Sequence, residues 1–342
     1  MASPAVSVFA ELGALTSDDI PLSQLYTEIY DEIVNYNQVA VNFYTLLCQP
    51  TTKHSVRVDQ RGMEFEELGG DTQTPAMQHI PYVDFDLPKP RKFGLATAVT
   101  AEELDEGIDS VTVLTRGAQA VEGDKRLVQK WVMREALQMG SWWDATETVA
   151  PPPYGINVFD TNHSHFLFRD ADGIPDVNDI ADMLQHLVHH GYTEDITCWM
   201  NSWTVTNLVK VAKIEPQTNL FLSPTPIVAQ LQEAGYRPAM EMAGVSIYRN
   251  EWIPPGYIFM FSAANEKPFQ WRNPEGRARD GGIQVWAHTP NAQYGAFEQY
   301  VRYCSVKAVY RGKGVACYLG SASEWVDPVI PVGYTEVAEA NA

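Results

Sequence analysis

The chain has 342 residues, 45% of them apolar, and a net charge of −19 from 24 basic and 43 acidic side chains. This length exceeds the size at which one hydrophobic core usually stops growing, so two or more packing units are expected. The acidic balance argues against a large phosphate-binding surface and therefore against sequence-specific binding of DNA or RNA. Short basic groups around Lys89, Arg277 and Arg311 are too small to reverse it and are expected to be solvated loop charges.

The four cysteines, Cys48, Cys198, Cys304 and Cys317, lie far apart and form no CxxC pair. This spacing excludes a zinc knuckle and predicts reduced, partly buried thiols. No apolar stretch approaches the ~20 residues that span a bilayer, and the N-terminus lacks the pattern of a secretory signal. We therefore expect a soluble protein that is made in the cytoplasm.

A helical arm is predicted within residues 17–48, because apolar side chains recur there at helical spacing. These side chains are Leu22, Leu25, Tyr26, Ile29, Tyr30 and Ile33. The apolar stripe requires a covering partner, and the segment that follows is a poor candidate for it.

Residues 51–92 are predicted to form a long two-stranded ribbon around a tip rich in Glu, Gly and Thr. An isolated pair of strands is marginal in water, because it buries little apolar area against its ordering entropy. The ribbon must therefore lie on its own body or on a neighbouring molecule. An ordinary surface hairpin of a monomer is the alternative.

A capping box is predicted at Thr100, whose hydroxyl can accept from the amide of Glu103 while the Glu103 carboxylate reaches back. The helical periodicity that follows extends to Met139 but is interrupted at Gly117 and Gly123. One long, bent or broken helical element is expected.

Pro151–Pro153 mark a boundary, after which helices and strands mix in an α+β pattern. The predicted elements are a strand at 156–159, a helix at 178–190 stopped by Gly191, a strand at 196–200, helices at 203–213 and 225–234, two strands within 245–262, and a final pair at 297–310 and 315–319 that turns at Arg311–Gly314.

Asp160, His163 and His165 form the best candidate metal cluster, because side chains two apart on a strand share a face and a carboxylate stands nearby. A metal-dependent hydrolase centred on these three residues is one alternative function. His186 and His190 lie at i and i+4 on the polar face of the 178–190 helix, but no third ligand is implied. The negative end of the helix dipole is the simpler explanation for histidines there.

Other catalytic motifs are incomplete. Ser246 lacks the second glycine of a nucleophile elbow, and Gly312–Gly314 lacks the flanking residues of a P-loop. Trp142 and Trp143 are expected to serve packing rather than a stacking platform. We therefore assign no catalytic, cofactor-binding or metal-ligating residue and predict that the chain is not an enzyme.

Taken in order, these elements resemble the tailed-phage major capsid proteins of the Hong Kong 97 fold. Three segments carry the likeness. Phe93–Leu104 is similar to the family's passage from its extended loop into its spine helix, Asn157–His163 to a Phe-Asp-x-x-His segment, and Gly244–Tyr257 to a Gly-x-x-Ile run followed by acidic-Trp-x-Pro-x-Gly-Tyr.

The resemblance implies a division of the chain into four parts. They are an N-arm at 1–50, an extended β-hairpin loop at 51–92, a peripheral domain with the spine helix at 93–150 and 285–342, and an axial domain at 151–284. The loop of one subunit would lie over the peripheral domain of the next, which supplies the partner that the ribbon lacks.

The function that the resemblance implies is self-assembly, as hexamers and pentamers, into the icosahedral shell enclosing the double-stranded DNA genome of a tailed bacteriophage. DNA would be enclosed without sequence-specific binding and without a membrane, in a virion assembled in the host cytoplasm. Portal, scaffolding and decoration proteins are the expected partners. An encapsulin-like nanocompartment is the nearest alternative. The ribbon carries lysines only near its ends, at Lys53, Lys89 and Lys92, so covalent cross-linking is not expected.

Overall fold

The described helices and strands form an α+β fold, as the sequence predicts. The strand predicted at 156–159 and most of the helix predicted at 225–234 lie outside the described residues. The structure, a computed structural model, describes residues 15–38, 43–59, 82–139, 164–169, 174–212, 231–232, 236–242, 244–264, 267–275, 282–288, 294–320 and 324–332. The helices bounded within these residues are α1 Leu22–Gln38, α2 Phe43–Leu47, α3 Ala101–Asp105, α4 Ser110–Leu137, α5 Val177–His189 and α6 Ser202–Ala212.

The strands fall into two sheets and a separate two-stranded ribbon within the described residues. Those of the first half are β1 Cys48–Thr51, β2 Ser55–Asp59, β3 Tyr82–Asp86, β4 Arg91–Thr100, β5 Phe166–Arg169 and β6 Ile196–Met200. Those of the second half are β7 Met240–Met242, β8 Val245–Arg249, β9 Tyr257–Ser262, β10 Phe269–Arg272, β11 Gln284–His288, β12 Tyr294–Ala308 and β13 Gly314–Leu319.

The long strand β12 organises the first sheet. Its central residues pair with β4 along one edge and with β11 along the other, both antiparallel. Its last residues pair with β10, and β1 adds to β10 in parallel. Strand β1 was not predicted, because Cys48 was assigned to the end of the helical arm.

The second sheet has the order β5-β13-β9-β6-β8-β7. Helix α5 packs its buried side chains on it, and the predicted stop at Gly191 is present, with a φ of 77°. The two strands predicted within 245–262 both form, as β8 and β9, but β6 lies between them.

The predicted pairing of residues 297–310 with 315–319 is wrong. A short 3₁₀ turn at Arg311–Lys313 carries the chain from β12 in the first sheet to β13 in the second. Pairing between strands distant in sequence decides against a hairpin here. The last residues of β12 pair with β10, and β13 pairs with β5 and β9.

The break in the long helical element lies earlier than the glycines indicate. Helix α3 opens with the predicted capping box of Thr100 and Glu103. It ends at Asp105. Gly107, whose φ of 82° favours glycine, lies in the turn that follows, and Asp109 then caps α4. Helix α4 continues unbroken for 28 residues through Gly117 and Gly123.

Gly117 is explained by packing rather than by flexibility. The apolar stripe of α1 lies on α4 and on the first sheet, so the arm finds its cover within the same chain. A Cβ added at Gly117 would lie 2.5–2.7 Å from three side-chain carbons of Ile29. A Cβ at Gly123 would meet Leu95 at an ordinary 3.9 Å.

These two glycines give a matched test of the α1–α4 contact. Gly117→Ala is expected to destabilise the chain by about 1 kcal/mol, because an overpacking cost of about 1–3 kcal/mol exceeds the helix-propensity gain of about 1 kcal/mol. Gly123→Ala keeps the gain without the clash and should be neutral or stabilising. Urea denaturation of both variants measures the difference, and equal effects would contradict the close contact with Ile29.

Candidate functional sites

The base of the predicted ribbon is present and paired as expected. Strand β2 runs antiparallel to β3, with Val56 opposite Phe85, and Arg57 donates to Asp84 across the strands at 3.1 Å. That ion pair is half-exposed, so it contributes little to stability. The predicted tip between the two strands lies outside the described residues.

Arg272 of β10 fastens this base to the body of the subunit. Its guanidinium donates to the carbonyl oxygens of Leu87 at 2.9 Å and Pro88 at 3.1 Å and also contacts the His54 imidazole. Phe85 and Leu87 add a small apolar cluster with Val309. The base is therefore anchored by its own chain.

The candidate metal cluster is only partly placed. Asp160 and His163 lie outside the described residues, as do Trp142 and Trp143. His165 is buried, and its Nδ1 lies 2.7 Å from the carbonyl oxygen of Gly314. Over the part of the chain that the structure describes, no group of three or more His, Cys, Asp or Glu side chains could hold a metal ion.

His190 is buried rather than on the polar face of its helix. Its Nε2 lies 2.8 Å from Nε2 of His165. Since the Gly314 carbonyl can only accept, Nδ1 of His165 carries a proton; when this imidazole is neutral, its Nε2 accepts from Nε2–H of His190. The pair ties the end of α5 to the start of β5.

A buried ion pair joins the first sheet to α4. Arg302 of β12 donates to the Asp124 carboxylate through Nε at 2.5 Å and Nη2 at 2.7 Å, and both side chains are almost fully buried. The Tyr36 hydroxyl of α1 donates to the same carboxylate at 2.8 Å. Burial alone lowers the pKa of Arg302, but the Asp124 charge outweighs it and raises the pKa.

Two contacts from the C-terminal half of α4 reach residues next to strands of the second sheet: Tyr236 precedes β7, and Trp252 follows β8. Gln129 Nε2 donates to the Tyr236 hydroxyl at 2.6 Å, and the Lys130 ammonium lies 4.3 Å from the centre of the Trp252 ring. Helix α4 therefore contacts the first sheet and also residues next to the second sheet.

The segment 324–332 contacts the second sheet and the end of α4 without joining either sheet. The Tyr257 hydroxyl donates to the carbonyl oxygen of Val326 at 2.8 Å, and Asp327 accepts from the amide of Met139. Ile330 is buried, whereas Val329 is 82% exposed. An apolar side chain this exposed is available to a partner.

The cysteine prediction is confirmed, since all four cysteines are free and buried. Burial raises the pKa of the Cys304 and Cys317 thiols to about 12, so they stay protonated at neutral pH. Among the helices that the structure describes, none has the length and apolar character required to cross a membrane.

The arrangement matches solved structures over most of its length. A chain from Mycobacterium phage Patience has a TM-score of 0.58 at 21% identity, covering 93% of this chain and 94% of that one. The mature capsid of bacteriophage PhiM1 has a TM-score of 0.54 at 10% identity, with 82% and 88% covered. The capsid of cyanophage P-SCSP1u has a TM-score of 0.55 at 10% identity, with 83% and 89% covered. The chain has the Hong Kong 97 fold.

This fold confirms the resemblance drawn from the sequence. Capsid proteins with the Hong Kong 97 fold are structural proteins and not enzymes, in agreement with the prediction for this chain. No protein-family model matches the chain, and no curated protein matches it as a relative. The likeness therefore rests on three-dimensional structure.

Sequence reasoning missed the polar residues that hold this fold together. Asp124, Arg302 and Arg272 stand in segments with otherwise ordinary helix or strand patterns. These residues could have been found as charged side chains at positions that the helix or strand pattern places in the core. Such a charge indicates a buried partner, because charges are almost never buried unless paired.

Proposed function

We propose that the chain is a major capsid protein that self-assembles, as hexamers and pentamers, into the icosahedral shell of a tailed bacteriophage. The observation that carries this proposal is the match to two phage capsid structures over more than four-fifths of both chains. The proposal assigns no catalytic, cofactor-binding or metal-ligating residue. The shell would enclose the double-stranded DNA genome.

The charge of the chain supports a container for DNA. A net charge of −19 disfavours adhesion to the packed genome, because like charges repel over about 10 Å at moderate salt. Portal, scaffolding and decoration proteins remain proposed partners in a virion assembled in the host cytoplasm.

The proposed parts of the subunit are an N-arm at 1–50, an extended loop at 51–92, a peripheral domain at 93–150 and 285–342, and an axial domain at 151–284. Under this proposal α4 is the spine helix. Strand β13 belongs by sequence position to the peripheral domain but pairs within the second sheet. Strand β10 differs in the opposite sense, since it lies in the proposed axial range but pairs within the first sheet.

Particle formation tests the proposal. The purified chain, alone and with a crowding agent, is expected to form closed particles of megadalton mass in light scattering and negative-stain microscopy. A species near 38.2 kDa under every condition would count against a shell.

The encapsulin-like alternative encloses protein instead of a genome. The two functions are distinguished by the contents of particles isolated from their natural source. Nuclease-resistant double-stranded DNA supports the phage capsid, whereas a stoichiometric cargo protein without DNA supports the nanocompartment.

A further inference from the structure

Glu298 is a carboxylate placed where the sheet and two helices meet. It lies in the middle of β12, opposite Thr97 of β4 and Ala287 of β11, and its exposed fraction is 0%. Glutamate is almost never fully buried unless it is paired. Full burial at this position is therefore unusual for a glutamate.

The carboxylate of Glu298 has one hydrogen bond in the described structure. Its Oε2 accepts from the Tyr300 hydroxyl at 2.6 Å, and that hydroxyl lies 3.5 Å from Oγ1 of Thr97. Its Oε1 is buried and finds no hydrogen-bond partner among the described residues. An ionised carboxylate is poorly solvated in such a site.

The charged and titratable groups around this site do not neutralise it. Tyr26 of α1 interacts electrostatically with Glu298, with Arg116 of α4 and with Glu103 of α3. The Arg116 guanidinium already donates to both carboxylate oxygens of Glu103 and to the Ala98 carbonyl. That ion pair lowers the pKa of Glu103 to about 2, so the positive charge is already matched.

Burial accordingly raises the pKa of Glu298 to about 7, against the opposing effect of the Tyr300 hydrogen bond. The unfolded value is about 4.3, so the folded chain binds the proton more tightly than the unfolded chain. The contribution of this site to stability is fully present below about pH 4 and is lost as the pH rises through about 7.

Helix α1 is the neighbouring element that can move when Glu298 ionises. Strands β4 and β11 are held to β12 by backbone ladders, and α4 is fixed by a second apolar cluster around Trp131. Helix α1 is held to the sheet and to α4 chiefly by side chains. It can move away without breaking a sheet.

We propose that Glu298 is a proton-controlled latch that holds α1 on the sheet when protonated and loosens it when ionised. The latch acts within the single subunit and does not depend on the proposed capsid function. If the chain does build a shell, the latch would link proton concentration to the placement of the N-terminal helix.

Hydrogen–deuterium exchange on the full-length, unassembled chain tests the latch. After correction for intrinsic exchange, the protection of α1 amides is expected to fall roughly 30-fold from pH 5.5 to pH 8, which follows from pKa values of about 7 when folded and about 4.3 when exposed. Peptides from β9, in the other sheet, should keep their protection.

Three variants make the test specific. Glu298→Gln cannot ionise and should abolish the fall, whereas Glu102→Gln, at an exposed carboxylate of α3, should leave it intact. Tyr300→Phe removes the hydrogen bond that favours the ionised form, so the pKa of Glu298 rises further and the fall should extend to higher pH.

Three outcomes would overturn the latch. They are unchanged protection of α1 in the natural chain, an equal fall in Glu298→Gln, and a fall shared by β9. The first needs no variant, so the test stands even where a substitution prevents folding.

Discussion

Replacing Asp124 by Ala is expected to lower the free energy of unfolding by about 3–5 kcal/mol, because removing one partner of a buried ion pair leaves the other charge buried without compensation. The Arg302 guanidinium is 3% exposed and cannot reach water. The Tyr36 hydroxyl loses its acceptor at the same time, so α1 is weakened along with the sheet.

Urea denaturation followed by circular dichroism measures this loss, and the same helix provides a control. Glu122 and Lys125 form an exposed ion pair on α4, for which Glu122→Ala should change stability by less than about 1 kcal/mol. A double variant, Asp124→Leu with Arg302→Met, should recover most of the loss, since apolar replacement of both partners is often neutral. An Asp124→Ala effect no larger than that of Glu122→Ala would show that the pair is unimportant.

Features set by neighbouring residues could be predicted from the sequence. The capping box needs only Thr100 and Glu103, three residues apart, and both of its hydrogen bonds form. The helix at 178–190 needs an apolar face and a glycine stop, and α5 has both. Local hydrogen bonding and periodicity decide such elements.

Features set by distant residues could not be predicted. Asp124 and Arg302 are separated by 178 positions, and neither segment indicates the other. The turn at Arg311–Lys313 has the composition of a hairpin, but its flanking strands lie in different sheets. Which strands pair is decided by the whole fold and not by the turn.

The candidate sites divide in the same way. The sequence identified His165 as a polar residue of interest and grouped it with Asp160 and His163, which lie outside the described residues. The observed neighbour of His165 is His190, which is 25 positions away and caps the end of α5. The ribbon was predicted correctly at its base, where alternation is strong, but Arg272, which anchors it, lies 218 positions from His54.

Removing residues 60–80 and closing the ribbon with a short Asn-Gly turn is expected to give a folded subunit that forms no complete shells. Folding should survive because Asp59 and Tyr82 are already paired neighbours, which suits closure by a short turn. The anchor at Arg272 and the apolar cluster of Phe85 and Leu87 lie outside the deletion. Urea denaturation should therefore show nearly unchanged stability.

Assembly is expected to fail because the deletion removes the part of the ribbon proposed to lie on the next subunit. Light scattering and negative-stain microscopy compare the deletion with a second variant that replaces residues 60–80 by a Gly-Ser linker of equal length. Failure of both variants assigns the contact to the side chains of this segment. Failure of the deletion alone assigns it to the reach of the ribbon. Normal particles from the deletion would remove the reason for placing the ribbon between subunits, and the shell would then have to be held by other surfaces, of which the exposed Val329 is one candidate.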